Sequence, residues 1–299
     1  MRTRRPIRRA LAAVAVCATA FALAGCATSY APILDPQGPI ALDQRNIMFR
    51  AFAIMMIVVL PVFVLAAVFV WRYRASNARA RYQPEWESSR VDALTWIVPG
   101  LIWVTLAFHV WVFTHEFDPY KPLDPSVKPL EVQAVAQDWK WLFIYPEQGI
   151  ASVNELAFTA GRPVTFRITS DTVMNAFFIP ALGSQIYAMA GMQTQLNLLA
   201  DEPGEYRGRN TQYSGDGFPD QHFAALSMTE ADFDAWVEKV RASGEGLDQA
   251  AYEALAKPSS KHPVTYYATV EPNLFDRIIA SYDSGMAMSA MDHDHAASD

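Results

Sequence analysis

Polar and apolar positions follow four different rhythms along this chain, and each predicts a different kind of element. A short apolar run, Ala10–Leu23, follows a cluster of arginines at positions 2, 4, 5, 8 and 9. Two much longer runs come next. Ala51–Trp71 holds no charged residue, and Ala93–Thr114 is interrupted only by His109. At ~1.5 Å per residue each is long enough, as a helix, to cross a hydrocarbon core of ~30 Å. Pro61 is tolerable inside such a helix, and Trp96, Trp103 and Trp111 suit interface anchors. From Pro129 to Met228 the rhythm shortens to runs broken by Gly, Pro and Asn: Leu130–Ala136, Trp141–Tyr145, Glu155–Phe158, Val164–Thr169, Gln193–Leu199 and Phe223–Ser227. Closely spaced short strands of this kind predict a sandwich or barrel, and about 100 residues suffices for one Greek-key sandwich. Beyond Met228 apolar residues return at helical spacing. Thr229–Ala242 opens on Thr229 and Asp232 and repeats Phe233, Trp236, Val237 and Val240, which predicts a capped amphipathic helix. Leu247–Ala256 and Phe275–Tyr282 predict two more.

Charge orients this layout. The segment between the long runs carries Arg72, Arg74, Arg79, Arg81 and Arg90 against Glu85 and Glu87. The positive-inside rule places it in the cytoplasm and everything after about residue 115 outside. The arginine-led N-terminus has the form of a secretory signal. It closes on Leu23-Ala24-Gly25-Cys26, which resembles a bacterial lipoprotein box whose cysteine is acylated. Cleavage there takes the net charge from −7 to −12, because the lost segment holds five arginines and no acid. The predicted layout is a signal peptide (1–25), an outer segment (26–46), transmembrane helices (47–71 and 93–114) joined by a cytoplasmic loop (72–92), a β-sandwich (115–228), a C-terminal helical arm (229–285) and a Met/His tail (286–299).

Composition excludes several functions. A 52% hydrophobic content fits membrane segments, and a net charge of −7 argues against a nucleic-acid partner. Cys17 and Cys26 are the only cysteines, so the body of the protein has neither a disulfide framework nor a thiolate with which to bind metal. His222 lacks companions, and His109 reads as a hydrogen-bonded helix residue. The tail around Met291, His293 and His295 is a compositional signal only.

The stretches DWKWLFIYPEQGIASVNE (138–155), VMNAFFIPALGSQIYAMAGMQTQ (173–195) and NTQYSGDGF (210–218) resemble the haem-copper oxidase subunit II family, and within it subunit 2 of the cytochrome bo-type ubiquinol oxidases. The resemblance implies a two-helix transmembrane hairpin followed by a periplasmic cupredoxin-like sandwich and C-terminal helices. Family members that carry a dicopper centre use Cys-x3-Cys-x3-His-x2-Met in the loop and a further histidine from V-x-H-S-F-x-x-P. With Gly215 and Gly217 as anchors, Asn210 and Ser214 fall at the cysteine positions and Phe218 at the loop histidine. Gln221 falls at the methionine, Asn175 at the other histidine and Gln212 at a carbonyl-binding glutamate. Fast copper electron transfer wants thiolate, imidazole and thioether. These six side chains supply amide, hydroxyl and hydrocarbon, so the resemblance implies a frame without its metal.

Two departures stand out. Pro219-Asp220-Gln221 replaces a common Ser-Gly-Met, and Asp92 stands where a family glutamate is implicated in proton uptake. Asp92 equally suits the first turn of a helix, where the dipole favours an acid. The resemblance further implies a non-catalytic subunit of a quinol-oxidising, oxygen-reducing, proton-moving complex. No cofactor is expected in this chain; haem and copper belong to a large partner subunit. Expected partners are that subunit, other oxidase subunits, membrane lipid and, through the complex, ubiquinol. The alternative is a membrane-anchored copper-handling or oxidase-assembly lipoprotein that uses the tail. Of the Asp138–Pro146 cluster, the expectation is a strand packed against the loop and a neighbouring subunit.

Overall fold

The computed structural model describes residues 31–80 and 87–282. The predicted leader with its lipidation candidate Cys26, and the Met/His tail, lie outside them. Two long helices come first, α1 (Pro39–Arg72) and α2 (Ser89–Glu116). Both are long and apolar enough to cross a membrane, with their side chains facing outward rather than into a protein core. Helix α1 begins before its apolar run: Gly38 is the N-cap and Pro39, which needs no amide partner, opens the first turn. Pro61 sits within the continuous helix, and His109 Nδ1 lies 2.8 Å from the Thr105 carbonyl. Asp92 is exposed in the first turn of α2.

Thirteen strands follow among the described residues. One sheet has the order β12-β3-β2-β1-β5-β8: Thr265–Tyr267, Ile150–Val153, Lys140–Tyr145, Leu130–Gln137, Val164–Ser170 and Thr194–Leu198. The second has the order β4-β10-β9-β6-β7: Glu155–Thr159, His222–Met228, Gly204–Asn210, Asn175–Ile179 and Gly183–Ala188. β11 (Gly246–Leu247) and β13 (Thr269–Val270) form a small parallel pair. Several strands escape the periodicity analysis. β6, β7 and β9 are crossed by glycines or turn residues, and β3 is only four residues long.

The sandwich core is aromatic. Trp141, Phe143, Phe166, Phe177 and Phe223 pack ring to ring, with Phe177 and Phe223 stacked at 5.3 Å. Tyr145 is buried among them, and its hydroxyl donates to the Ala157 carbonyl at 3.0 Å. Helix α3 (Glu230–Arg241) closes one side of this core with Phe233, Trp236, Val237 and Val240. The Thr229 hydroxyl accepts from Asp232 N at 3.2 Å, as its capping pattern predicts.

β2 is buried at all six positions, which the sandwich alone does not explain. Trp141, Phe143 and Tyr145 face the inner core. Leu142 and Ile144 face outward, joined by Val135, Ala151 and Val153 from the neighbouring strands. The C-terminal arm covers them. Helices α4 (Gln249–Ala256) and α5 (274–282) bring Leu247, Tyr252, Leu255, Leu274, Phe275 and Ile278 onto that face, and β12 pairs antiparallel with the edge strand β3. The outer face of β2 therefore meets this chain's own arm, where a neighbouring subunit was expected. The arm also carries strands, where periodicity predicts helices alone. Burying a side chain of this size contributes roughly 1.5–3 kcal/mol, so a second core of this kind holds the arm down.

The sandwich is also tied to the outward ends of both long helices. Gln37 N donates to the Ala181 carbonyl at 2.8 Å, and Gln44 Nε2 to Ser184 Oγ at 2.8 Å. A Cβ on Gly38 would stand 2.2 Å from the Leu199 carbonyl oxygen, so the chain can seat there only without a side chain. After α2, the Asn197 side chain donates to the Pro119 carbonyl at 2.9 Å.

Candidate functional site

One end of the sandwich gathers the β5–β6 connection, the β9–β10 loop and the β1–β2 turn. Tertiary folding brings four of the six sequence-predicted positions into one hydrogen-bonded cluster. Asn210 ends β9 and is the hub, 4% exposed. Its Nδ2 serves Asn175 Oδ1 at 2.6 Å, Gln221 Oε1 at 2.8 Å and Ser214 Oγ at 3.2 Å. Its Oδ1 accepts from Ala176 N at 2.8 Å and Gln212 N at 2.9 Å. Ser214 in turn donates to Gln221 Oε1 at 2.9 Å.

The periphery is equally satisfied. Asn175 Nδ2 donates to the Val173 carbonyl at 2.8 Å and lies 3.3 Å from Ser170 Oγ, which itself donates to Val173. Gln221 Nε2 reaches the Gln137 carbonyl at 3.3 Å. The other two positions stand apart. Gln212 contributes its backbone amide. Phe218 opens a 3-10 turn, Phe218–Asp220, and its ring lies 5.8 Å from that of Tyr213. Asp92 does not belong to this cluster, since it lies on α2, and Cys26 is outside the described residues.

The loop lies on the indole of Trp139. Trp139 Nε1 donates to the Ser214 carbonyl at 3.0 Å. Gly215 adopts φ +105°, and a Cβ on Gly217 would come within 2.2 Å of Trp139 Cδ2. Both glycines predicted as anchors are thus demanded by a turn and a close approach. Trp139 itself takes φ 63° at the β1–β2 turn, which aims its ring at the loop while Trp141 enters the core.

The donor set does not fit a copper pair. Each inward oxygen already accepts a hydrogen bond from a neighbouring amide or hydroxyl, and amide and hydroxyl oxygens are poor ligands for a soft ion. Among the described residues no group of three or more His, Cys, Asp or Glu could hold a metal. His222 is exposed next to Gln221, without companions. What the arrangement does is cross-link three loops with neutral groups. In a low-dielectric interior such a network is strong when complete and costly when broken.

Sequence reasoning missed two partners of this cluster, Ser170 and the Gln137 carbonyl, and the buried Lys140 in the adjoining strand. Lys140 is fully buried, and its Nζ donates to the Lys257 carbonyl and Ser259 Oγ, both at 2.8 Å. Burial lowers its ammonium below the usual lysine range, partly opposed by Asp138. A charged residue within the run Trp139-Lys140-Trp141-Leu142 was the available signal, since a lysine there has to find acceptors.

Comparison with known proteins follows this geometry. Residues 241–286 match the family described as COX Aromatic Rich Motif. The chain is 49% identical over 277 residues to cytochrome bo(3) ubiquinol oxidase subunit 2 of Pseudomonas putida, covering 92% of this chain and 87% of the relative. It is 50% identical over 273 residues to ubiquinol oxidase subunit 2 of Acetobacter aceti, covering 90% and 88%. Among solved structures, the periplasmic domain of cytochrome oxidase subunit II of Bradyrhizobium japonicum overlaps 37% of this chain and 91% of its own, at 24% identity and a TM-score of 0.35.

Proposed function

The chain belongs to the family of ubiquinol oxidase subunit 2, and from that premise we propose that it works as the non-catalytic subunit II of a proton-pumping terminal oxidase. It is a membrane-anchored subunit of a haem-copper quinol oxidase, with its sandwich in the periplasm. The observation that supports the absence of a relay is the Asn210 hub, in which amides and a hydroxyl hydrogen-bond one another at positions where a dicopper loop needs sulfur and imidazole. An oxidase reduced from within the membrane by ubiquinol has no use for such a relay. Haem and copper then reside in the large partner subunit. This chain caps that subunit and sets a helix pair, α1 and α2, beside it. Acylation of Cys26 holds the N-terminus at the outer face of the inner membrane, and Asp92 shapes proton entry at the cytoplasmic start of α2.

The test is purification in mild detergent. The chain should come away with a haem-bearing polytopic subunit, the complex should oxidise ubiquinol, and the chain should show no dicopper absorption or spin signal after incubation with copper. A chain that purifies alone, or that carries a stoichiometric copper pair, would overturn the assignment. The names of the relatives do not favour a copper-handling lipoprotein.

A further inference from the structure

The outward ends of the two long helices do not close completely against the sandwich. Between them lies a cavity of about 300 Å³. Its walls come from the first turns of α1, the end of α2 with the link that follows, and the adjoining end of the sandwich. Ile40, Phe117, Leu123 and Leu199 give it an apolar lining, and each is half-buried, with part of its side chain left open. Asp43 and Glu116 add two carboxylates to the wall, and Lys121 adds one ammonium. The ion pairs among the described residues join other groups and leave these three charges unpaired.

We propose that this cleft holds one phospholipid of the outer leaflet, selected for a primary-amine headgroup of the phosphatidylethanolamine type. The inference rests on α1 and α2 crossing the membrane with the sandwich outside, and not on the oxidase chemistry.

Position argues for lipid. The apolar run of α2 ends at Thr114, and Glu116 follows two residues later, about 3 Å further along the axis. The headgroup layer is roughly 5–7 Å deep on each side of the hydrocarbon core, so Glu116 falls within it. Below that level the side chains of both helices face away from any protein core, and acyl chains can lie against them. The spacing of the walls is set by the fold. Gly38 seats against the Leu199 carbonyl, Gln44 bonds Ser184 at 2.8 Å, and the Asn197 side chain donates to the carbonyls of Pro119 and Lys121 at 2.9 and 3.3 Å.

Charge selects the headgroup. An ethanolamine ammonium, like that of lysine, has three N–H donors and can serve both carboxylates, whereas choline has none. Charge-assisted bonds of this kind are about twice as strong as neutral ones. A glycerol headgroup would bring its phosphate beside two carboxylates with no cation of its own. Lys121 supplies the cation that the phosphate needs. A metal ion fits less well, since among the described residues no group of three or more His, Cys, Asp or Glu could hold one.

The test is native mass spectrometry of the full chain in detergent, titrated with phosphatidylethanolamine, phosphatidylcholine or phosphatidylglycerol carrying identical acyl chains. Phosphatidylethanolamine should bind at about tenfold lower concentration than the other two. In the double variant Asp43→Asn, Glu116→Gln, which keeps side-chain size, that preference should vanish while weaker binding of all three lipids persists. Lys121→Gln should reduce phosphatidylethanolamine binding. Equal binding of the three lipids by wild type, a preference that survives the double variant, or unchanged binding in Lys121→Gln would overturn the proposal. So would a preference that emerges only in Cys26→Ser, because the chain's own acyl anchor would then fill the cleft. Should the double variant fail to fold, each single variant is read in the same way.

Discussion

Two polar clusters flank the β1–β2 turn, one buried and one half-buried, and they are built on opposite electrostatic plans. Around Asn210 every member is neutral, and the donors and acceptors close on one another. Around Asp171 a half-buried carboxylate meets two phenols, those of Tyr252 and Tyr282, with a second acid close by. The first arrangement pays its desolvation cost once, on folding, and has nothing to titrate. The second holds a titratable carboxylate, raised above the ordinary aspartate range chiefly by burial. The comparison separates a neutral cross-link from one that contains a titratable group within a single end of the sandwich. The turn serves both: Gln137 offers its carbonyl to Gln221 and Trp139 supports the loop, while Lys140 holds the arm.

The largest effect is expected from breaking the neutral hub. Asn210→Leu leaves Asn175, Ser214, Gln221 and two backbone amides without their partner in a buried site. A loss of about 3–5 kcal/mol, seen as a lower thermal midpoint of the outer domain, should follow and should be the same at acidic and neutral pH. A pH-dependent loss would erase the distinction between the clusters. Gly217→Ala comes next. Its Cβ cannot coexist with Trp139 in place, so the loop must shift, at about 1–3 kcal/mol, with a change in Trp139 fluorescence. An unchanged emission spectrum would mean that the loop does not lie on the indole. The smallest effect belongs to Tyr266→Phe at the root of the arm. It removes one donor from Glu155 but leaves Trp236 Nε1 on the same oxygen at 2.8 Å, so about 1 kcal/mol is expected. Exchange in α4 and α5 should be unaffected; accelerated exchange there would show that the root and the two helices are not independent.

Much of the candidate site was legible because its loop carries a spacing. Asn210, Ser214 and Gln221 stand at intervals that resemble a known ligand pattern, and Asn175 sits in a second stretch of the same kind. Spacing named these residues as positions without donors for copper. It could not say that they bond to one another, because an amide's partner depends on which rotamer the surrounding strands permit. Phe218 fits the same spacing yet stays outside the network, since the 3-10 turn after Gly217 carries its ring toward Tyr213, and Gln212 joins only through its backbone amide. Asp171, Tyr252 and Tyr282 gave no sequence signal at all. An aspartate after a strand reads as a turn residue, and the two tyrosines follow it by 81 and 111 positions.

By itself the sequence determined what depends on composition and local period: two apolar runs of spanning length, the arginine segment that orients them, a run of short strands, capped helices at the end, and a body without cysteine. Each of these follows from residues close together in the chain. Tertiary structure alone decided that β2 is buried on both faces, that the arm is its cover, that four neutral side chains share one hub, and that a lone carboxylate holds two helices. Those contacts depend on strand register and on which loops meet at the end of the sheet. Both are fixed by packing summed over the whole domain, so no single stretch of sequence records them.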